Sequence, residues 1–135
     1  MRDGYTRKVE TPERDMKFED FHAKWRASVV VLSGDAAGSE WEVQGPETTI
    51  GRGEGCDWSV DDDTLSKEHA TIEFSNGGLR LRDLASMNGM RLNGTEVKAA
   101  ELESGDRFQL GDHEFQFVLE ARSKEPRTWV LPDDA

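Results

Sequence analysis

The sequence predicts an all-β domain, a sandwich or a barrel, on three observations. Between Ser28 and Glu120, short stretches alternate apolar and polar residues with a period of two. Glycine-bearing dipeptides punctuate them, with Asn76-Gly77 and Gly111-Asp112 placed as hairpin turns. Over the same span almost nothing repeats at the helical spacing of three and four.

The elements follow in order. The polar stretch 2–24 shows no period of two and contains "ETPE" at 10–13. Phe18, Phe21 and Trp25 recur at spacings of three and four, which puts them on one face of a short helix. The plainer reading is a helix docked on the domain; the sharper one is a helix that binds a partner. From Ser28 the pattern changes to "SVVVLSG", a β-branched run ending at Gly34. "SEWEVQG" then sets Trp41 and Val43 against Glu40, Glu42 and Gln44, and "TTIGR" reads as a strand end. "HATIEFSNGG" alternates Ala70, Ile72 and Phe74, and "LRLRDL" sets Leu79 and Leu81 against Arg80 and Arg82. "RFQLG" and "HEFQFVLE" repeat the pattern. In the last segment Pro126 and Pro132 argue against regular strands. There Trp129, Val130 and Leu131 either pack back on the sandwich or belong to a mobile tail. The expected organisation is a flexible or partly helical extension over 1–27, the β domain over 28–120 and a tail over 121–135.

At 135 residues the chain suits one domain with tails. Its net charge of −11 sits in the middle: residues 29–120 hold seven Lys/Arg against nineteen Asp/Glu, whereas 1–28 hold seven against six and 121–135 three against three. Nucleic-acid binding needs a basic patch to neutralise phosphates, and this distribution supplies none. Anionic membranes are disfavoured for the same reason. No apolar run approaches bilayer length, and the charged N-terminus lacks the apolar stretch of a secretory signal. The single cysteine, Cys56, fits a reducing compartment, so the expected location is the cytoplasm.

Several motifs invite chemistry and fail on inspection. "GRGEGC" at 51–56 is glycine-rich, but an acidic stretch follows it where a phosphate loop needs a helix or a Gly-Lys-Ser/Thr. "DDD" at 61–63 lacks the ligand spacing and distal Glu of a calcium loop, so it reads as a solvated acidic loop. His22, His69 and His113 have no metal-ligand spacing. Ser66 and His69 stand three apart, yet no orienting acid or nucleophile elbow accompanies them. A histidine that follows a loop and opens a strand is more often a hydrogen-bonding brace. The expectation is a protein that performs no catalysis and holds no metal or cofactor.

What remains is a set of donors: Arg52, then Ser66-Lys67 before a strand, then Ser86-Met87-Asn88-Gly89 after one. A guanidinium, hydroxyls, an ammonium and a carboxamide converging on one spot make an anion site, and a dianionic phosphate suits them. Composition and periodicity leave their convergence open.

"GR" at 51–52, "SKEHA" at 66–70, "SMNGMRLNG" at 86–94 and "LESGDRFQLG" at 102–111 together resemble the forkhead-associated (FHA) domain, in order and spacing, over about Val29 to Leu119. The resemblance implies two twisted, mainly antiparallel sheets whose end loops bind phosphothreonine peptides. Carried over by position, Arg52 would hold the phosphate or the adjoining peptide backbone, Ser66 would donate its hydroxyl and Lys67 would add charge. Asn88 would hydrogen-bond the peptide main chain. Gly51 and Gly89 would permit tight turns, His69 would brace the loop presenting Ser66, and Asn93-Gly94 would form a hairpin turn below the site.

Two departures stand out. Met87 replaces a threonine usual in the family, losing a hydrogen bond worth about 1 kcal/mol, or several-fold in affinity, while offering apolar contact to a threonine methyl. Lys67 replaces a frequent arginine, keeping charge without the planar fork. The acidic "VDDDTL" beside the site should repel acidic flanks on a ligand unless solvent and salt screen it. Thr11, in the charged extension, is a candidate phosphosite that would fold back into the protein's own site or dock in a second copy; Thr6 is a weaker one. The expected function is a phosphothreonine-binding signalling module acting with Ser/Thr kinases. The alternative is a phosphate-independent interaction scaffold of the same fold, using another face.

Overall fold

The computed structural model describes residues 16–122. A short helix, α1 (Phe18–Lys24), runs directly into β1 (Trp25–Val31). Then come β2 (Glu40–Glu42), β3 (Glu47–Gly51), β4 (Trp58–Ser59), β5 (Ala70–Ser75), β6 (Gly78–Asp83), β7 (Met90–Leu92), β8 (Thr95–Val97), β9 (Ala99–Glu101), β10 (Arg107–Leu110) and β11 (His113–Ala121). One sheet has the order β2-β1-β11-β10-β7-β8 and the other β4-β3-β5-β6-β9. The β3–β4 pair is parallel, and the other pairs described are antiparallel. The expected two-sheet, mainly antiparallel sandwich is what forms.

Alternation explains the core. Ala27, Val29 and Val31 of β1 face inward with Phe115 and Phe117 of β11 and with Phe108 and Leu110 of β10. Ile50, Ala70, Ile72, Leu79 and Leu81 meet them from the second sheet. Each such large side chain removed from water contributes about 1.5–3 kcal/mol, which is what holds two small sheets face to face. Arg80 and Arg82, on the alternate positions of β6, point to solvent as the period of two requires.

Turn chemistry fixes the register. Asn76 and Gly77 have φ of +53° and +83°, and Asn93 and Gly94 have +50° and +88°. Positive φ at both central residues is the type I′ geometry that matches the twist of paired strands. These turns keep β5 on β6 and β7 on β8.

The helix docks, with one correction to its face. Phe18 and Phe21 meet Phe74 at ring distances of 5.6 and 5.2 Å, and Phe21 is buried. Trp25 is not on that face. It has extended dihedrals and is the first residue of β1, paired with Ala121. The first strand therefore starts at Trp25 rather than at the expected Ser28.

β1 pairs with β11 along the whole of its own length, from Trp25↔Ala121 to Val31↔Phe115. Arg122 closes the lower end: its amide donates to the Lys24 carbonyl at 2.8 Å and its Nε to the His22 carbonyl at 2.7 Å. At the upper end the β10–β11 turn meets the loops after β4 and β6, with the Asp112 amide 2.9 Å from Thr64 Oγ1 and the Gly111 amide 3.4 Å from the Gly89 carbonyl.

Candidate functional site

The site is assembled at that upper pole from three loops. β3 ends at Gly51, where the β4–β5 loop lies directly against the backbone. A Cβ at this position would stand 2.2 Å from the Lys67 carbonyl oxygen, so Gly51 is required by close approach rather than by a turn. The contact continues as hydrogen bonds: the Arg52 amide donates to the Ser66 carbonyl at 2.9 Å and the Gly53 amide to the Lys67 carbonyl at 3.0 Å. The Cys56 thiol donates to the Lys67 carbonyl as well, and burial pushes its pKa up, which favours the neutral thiol. Arg52 is exposed, and its Nε donates to the Leu65 carbonyl at 3.1 Å, which anchors the guanidinium beside the loop that carries Ser66.

His69 holds the loops together. It is fully buried, its Nδ1 accepts from the Ser66 amide at 3.1 Å, and its Nε2 lies 2.8 Å from the Gly89 carbonyl. An Nδ1 that accepts carries no proton, so the proton is on Nε2, which donates to Gly89. The His69 amide also donates to the Ile50 carbonyl, and its carbonyl accepts from the Leu84 amide. The side chain thus ties the β4–β5 loop to the β6–β7 loop, and the backbone of the same residue fixes both to β3. Both ring nitrogens are occupied by backbone groups, so neither faces the Ser66 hydroxyl as a general base.

The third loop is shaped from within. Asp83 accepts from the Ser86 amide at 3.2 Å and from the Ser86 hydroxyl, and Ser86 Oγ accepts from the Gly89 amide at 2.9 Å. Gly89 takes a φ of +73°, the left-handed conformation that glycine adopts without strain. This folds Met87 and Asn88 over the second loop: the Met87 amide donates to Ser66 Oγ at 2.9 Å and Asn88 Nδ2 to the Thr64 carbonyl at 2.8 Å. The Met87 side chain is 87% exposed.

Arg52, Ser66, Lys67, Met87 and Asn88 therefore stand on one rim. Gly51, His69 and Gly89 lie beneath it. Asn93 sits apart, at the far end of β7, where its Oδ1 accepts from the Arg107 amide at 2.9 Å and its Nδ2 donates to Asp106 at 3.0 Å. Neither Arg52 nor Lys67 forms an ion pair among the described residues. Two cations that are unpaired among the described residues thus stand on the rim of an acidic domain. Thr11 lies outside the described residues, as do Trp129, Val130 and Leu131.

The acidic loop departs from its expected form. Asp61 and Asp63 are exposed, but Asp62 turns inward. Its Oδ1 accepts from the Thr64 amide at 2.8 Å and hydroxyl at 2.7 Å, and its Oδ2 lies 2.9 Å from His113 Nδ1. The His113 bond first, and then the two Thr64 bonds, hold the Asp62 carboxyl down at about 2. Asp62, Thr64, Asp83 and His113 brace the site, a structural role expected of none of them from the sequence, where Asp62 belonged only to an acidic loop that repels acidic ligand flanks. The Asp-x-Thr spacing at 62–64, which suits an Asx turn, was the one local signal for the first two. Among the described residues no group of three His, Cys, Asp or Glu side chains is placed to hold a metal ion.

Residues 48–111 match the family model described as "FHA domain". This chain carries an FHA domain. The glycogen accumulation regulator GarA of Mycolicibacterium smegmatis is 33% identical to it over 99 residues, 73% of this chain and 63% of that relative. The oxoglutarate dehydrogenase inhibitor of Corynebacterium glutamicum is 33% identical over 92 residues, 68% of this chain and 64% of that relative. This chain thus spans less than two thirds of the length of either relative. Among solved structures, EmbR of Mycobacterium tuberculosis in complex with a low-affinity phosphopeptide superposes with a TM-score of 0.66 at 29% identity, covering 74% of this chain and 26% of that one. An FHA domain studied for phosphothreonine-dependent interactions superposes with a TM-score of 0.63 at 26% identity, covering 69% of this chain and 95% of that one. No helix among the described residues is long and apolar enough to cross a membrane.

Proposed function

We propose that this FHA domain binds a phosphothreonine segment of a partner protein and so relays the action of a Ser/Thr kinase, in the cytoplasm and without catalysis of its own. One observation carries the reading: the hydrogen bonds Arg52–Leu65, Ser66–Met87 and Asn88–Thr64 gather a guanidinium, a hydroxyl and a carboxamide on one rim. Ser66 Oγ accepts from the Met87 amide, and its own proton has no acceptor among the described residues, so it is poised to donate to a phosphate oxygen. Arg52 and Lys67 supply the charge that a dianion needs. Asn88 commits one amide proton to Thr64 and keeps its carbonyl and second proton for a peptide main chain. The regulator and inhibitor names of the relatives fit a binding protein rather than an enzyme.

Titration calorimetry with a degenerate phosphothreonine peptide pool tests this, with phosphoserine and unphosphorylated pools beside it. Binding should need the phosphothreonine, and Arg52→Ala and Ser66→Ala should each weaken it by about tenfold or more, the value of a charge-assisted hydrogen bond. Equal binding of the unphosphorylated pool would favour the phosphate-independent scaffold, a reading that the exposed Met87 supports.

A further inference from the structure

The end of the sandwich opposite the rim is only partly closed by the described residues. There α1 covers one side, with Phe18 and Phe21 against Phe74. Beside the helix lies an apolar groove of about 220 Å³, whose walls include Met16, Phe21, Trp25, Leu102, Phe117 and Leu119. Phe21, Leu102 and Phe117 are buried, Met16 and Leu119 are half-buried, and Trp25 is 36% exposed. Apart from Met87 on the rim, Trp25 is the one exposed large apolar side chain among the described residues. Its backbone is fixed in the sheet opposite Ala121. A held aromatic at the lip of a groove with buried aromatic walls makes a receptor for another apolar side chain.

The chain itself supplies one. The described residues end at Arg122, whose amide donates to the carbonyl of Lys24, the residue before Trp25. Beyond it the sequence reads "SKEPRTWVLPDDA", in which Trp129, Val130 and Leu131 form the one contiguous apolar run. Residues 123–128 lie between, reaching about 20 Å when extended and leaving room for a four-residue reversal when not. The groove wall begins at Leu119, just back along β11 from Arg122, so the segment arrives at the right end of the molecule.

Other occupants suit the groove less well. Residues 1–15 hold their apolar side chains singly, as Met1, Tyr5 and Val9. A lasting interface with a second copy needs about 800 Å² from each partner, more than a groove for one large side chain supplies. A short tether also raises the effective concentration of the segment to about millimolar, so a contact too weak between molecules holds within one.

We propose that Trp129 docks in this groove against Trp25, so that the C-terminal segment closes the sandwich at the pole opposite the rim. The inference is independent of what the rim binds.

The full chain and its Trp129→Ala, Trp25→Ala and doubly substituted forms are unfolded in urea. Trp129→Ala should raise the unfolding equilibrium constant about tenfold, and by less than about twofold once Trp25 is replaced by alanine. The same tenfold effect in both backgrounds, or none in either, overturns the proposal. NMR on the full chain reads the contact directly, as nuclear Overhauser effects from the Trp129 indole to the methyl groups of Leu102 and Leu119. A sample mixing isotope-labelled with unlabelled chains then shows whose segment is bound. Contacts confined to one chain support the docking. Contacts between chains assign the groove to a second copy, and contacts from Tyr5 or Val9 assign it to the N-terminal segment; either overturns the proposal.

Discussion

The amide of Met87 lies 2.9 Å from the hydroxyl oxygen of Ser66, a hydrogen bond across 21 positions of sequence. It makes Ser66 part of the loop that carries Asn88, and it uses the backbone of residue 87 rather than its side chain. The position can therefore change chemically without moving the serine.

Met87→Thr should accordingly leave stability unchanged, since the side chain touches almost nothing, and should strengthen phosphothreonine-peptide binding several-fold by adding a hydroxyl worth about 1 kcal/mol. Calorimetry on both proteins checks it. Equal or weaker binding would show that the thioether itself contacts the ligand.

Gly51→Ala should destabilise the domain by about 2 kcal/mol or more, because its Cβ would collide with backbone that has no room to retreat. Gly55 has open space around its Cβ position, so Gly55→Ala serves as a control with little effect. Urea unfolding of the pair reads the difference, and the Gly51 variant should also lose affinity as Ser66 shifts.

His69→Leu keeps a buried apolar volume but strands the Ser66 amide and the Gly89 carbonyl. The expected cost is about 2–4 kcal/mol, with peptide binding lost in the fraction that still folds. Thermal unfolding and titration at low temperature distinguish the two effects. Full stability in this variant would mean that the loops hold without the brace.

Asp62 gives a pH signature. Its folded value of about 2 lies below the ordinary 3.8, so folding favours the carboxylate. The resulting stability is present above about pH 4 and disappears as pH falls through about 2. With a side chain about one-fifth exposed and partly screened, the amount is on the order of 1 kcal/mol. Asp62→Asn should lower stability at pH 7 and flatten the fall between those two pH values, as denaturant titrations at each pH would show.

Much of the architecture was legible because it rests on local rules. The alternation in Leu79-Arg80-Leu81-Arg82 and the Asn-Gly turns state strand faces and registers directly. The rim was legible for a different reason: Arg52, Ser66 and Asn88 are donors without an obvious structural use, and the motif resemblance ordered them. Trp25 was misplaced because its spacing from Phe18 and Phe21 satisfies a helix, while pairing with Ala121, nearly a hundred residues away, overrides that local pattern. The inward turn of Asp62 was illegible for a similar reason, since its partner His113 stands 51 positions on and only the folded sheet brings them together.

The clasp of Arg122 on His22 and Lys24 holds the two ends of the β domain together at the pole opposite the candidate rim, a nine-residue strand away. That arrangement makes the domain a plug on a lead. A group attached at residue 122 sits behind the sandwich and leaves the rim loops facing outward. Immobilisation at residue 122 should therefore preserve access to the rim, whereas coupling through Lys67 should abolish it.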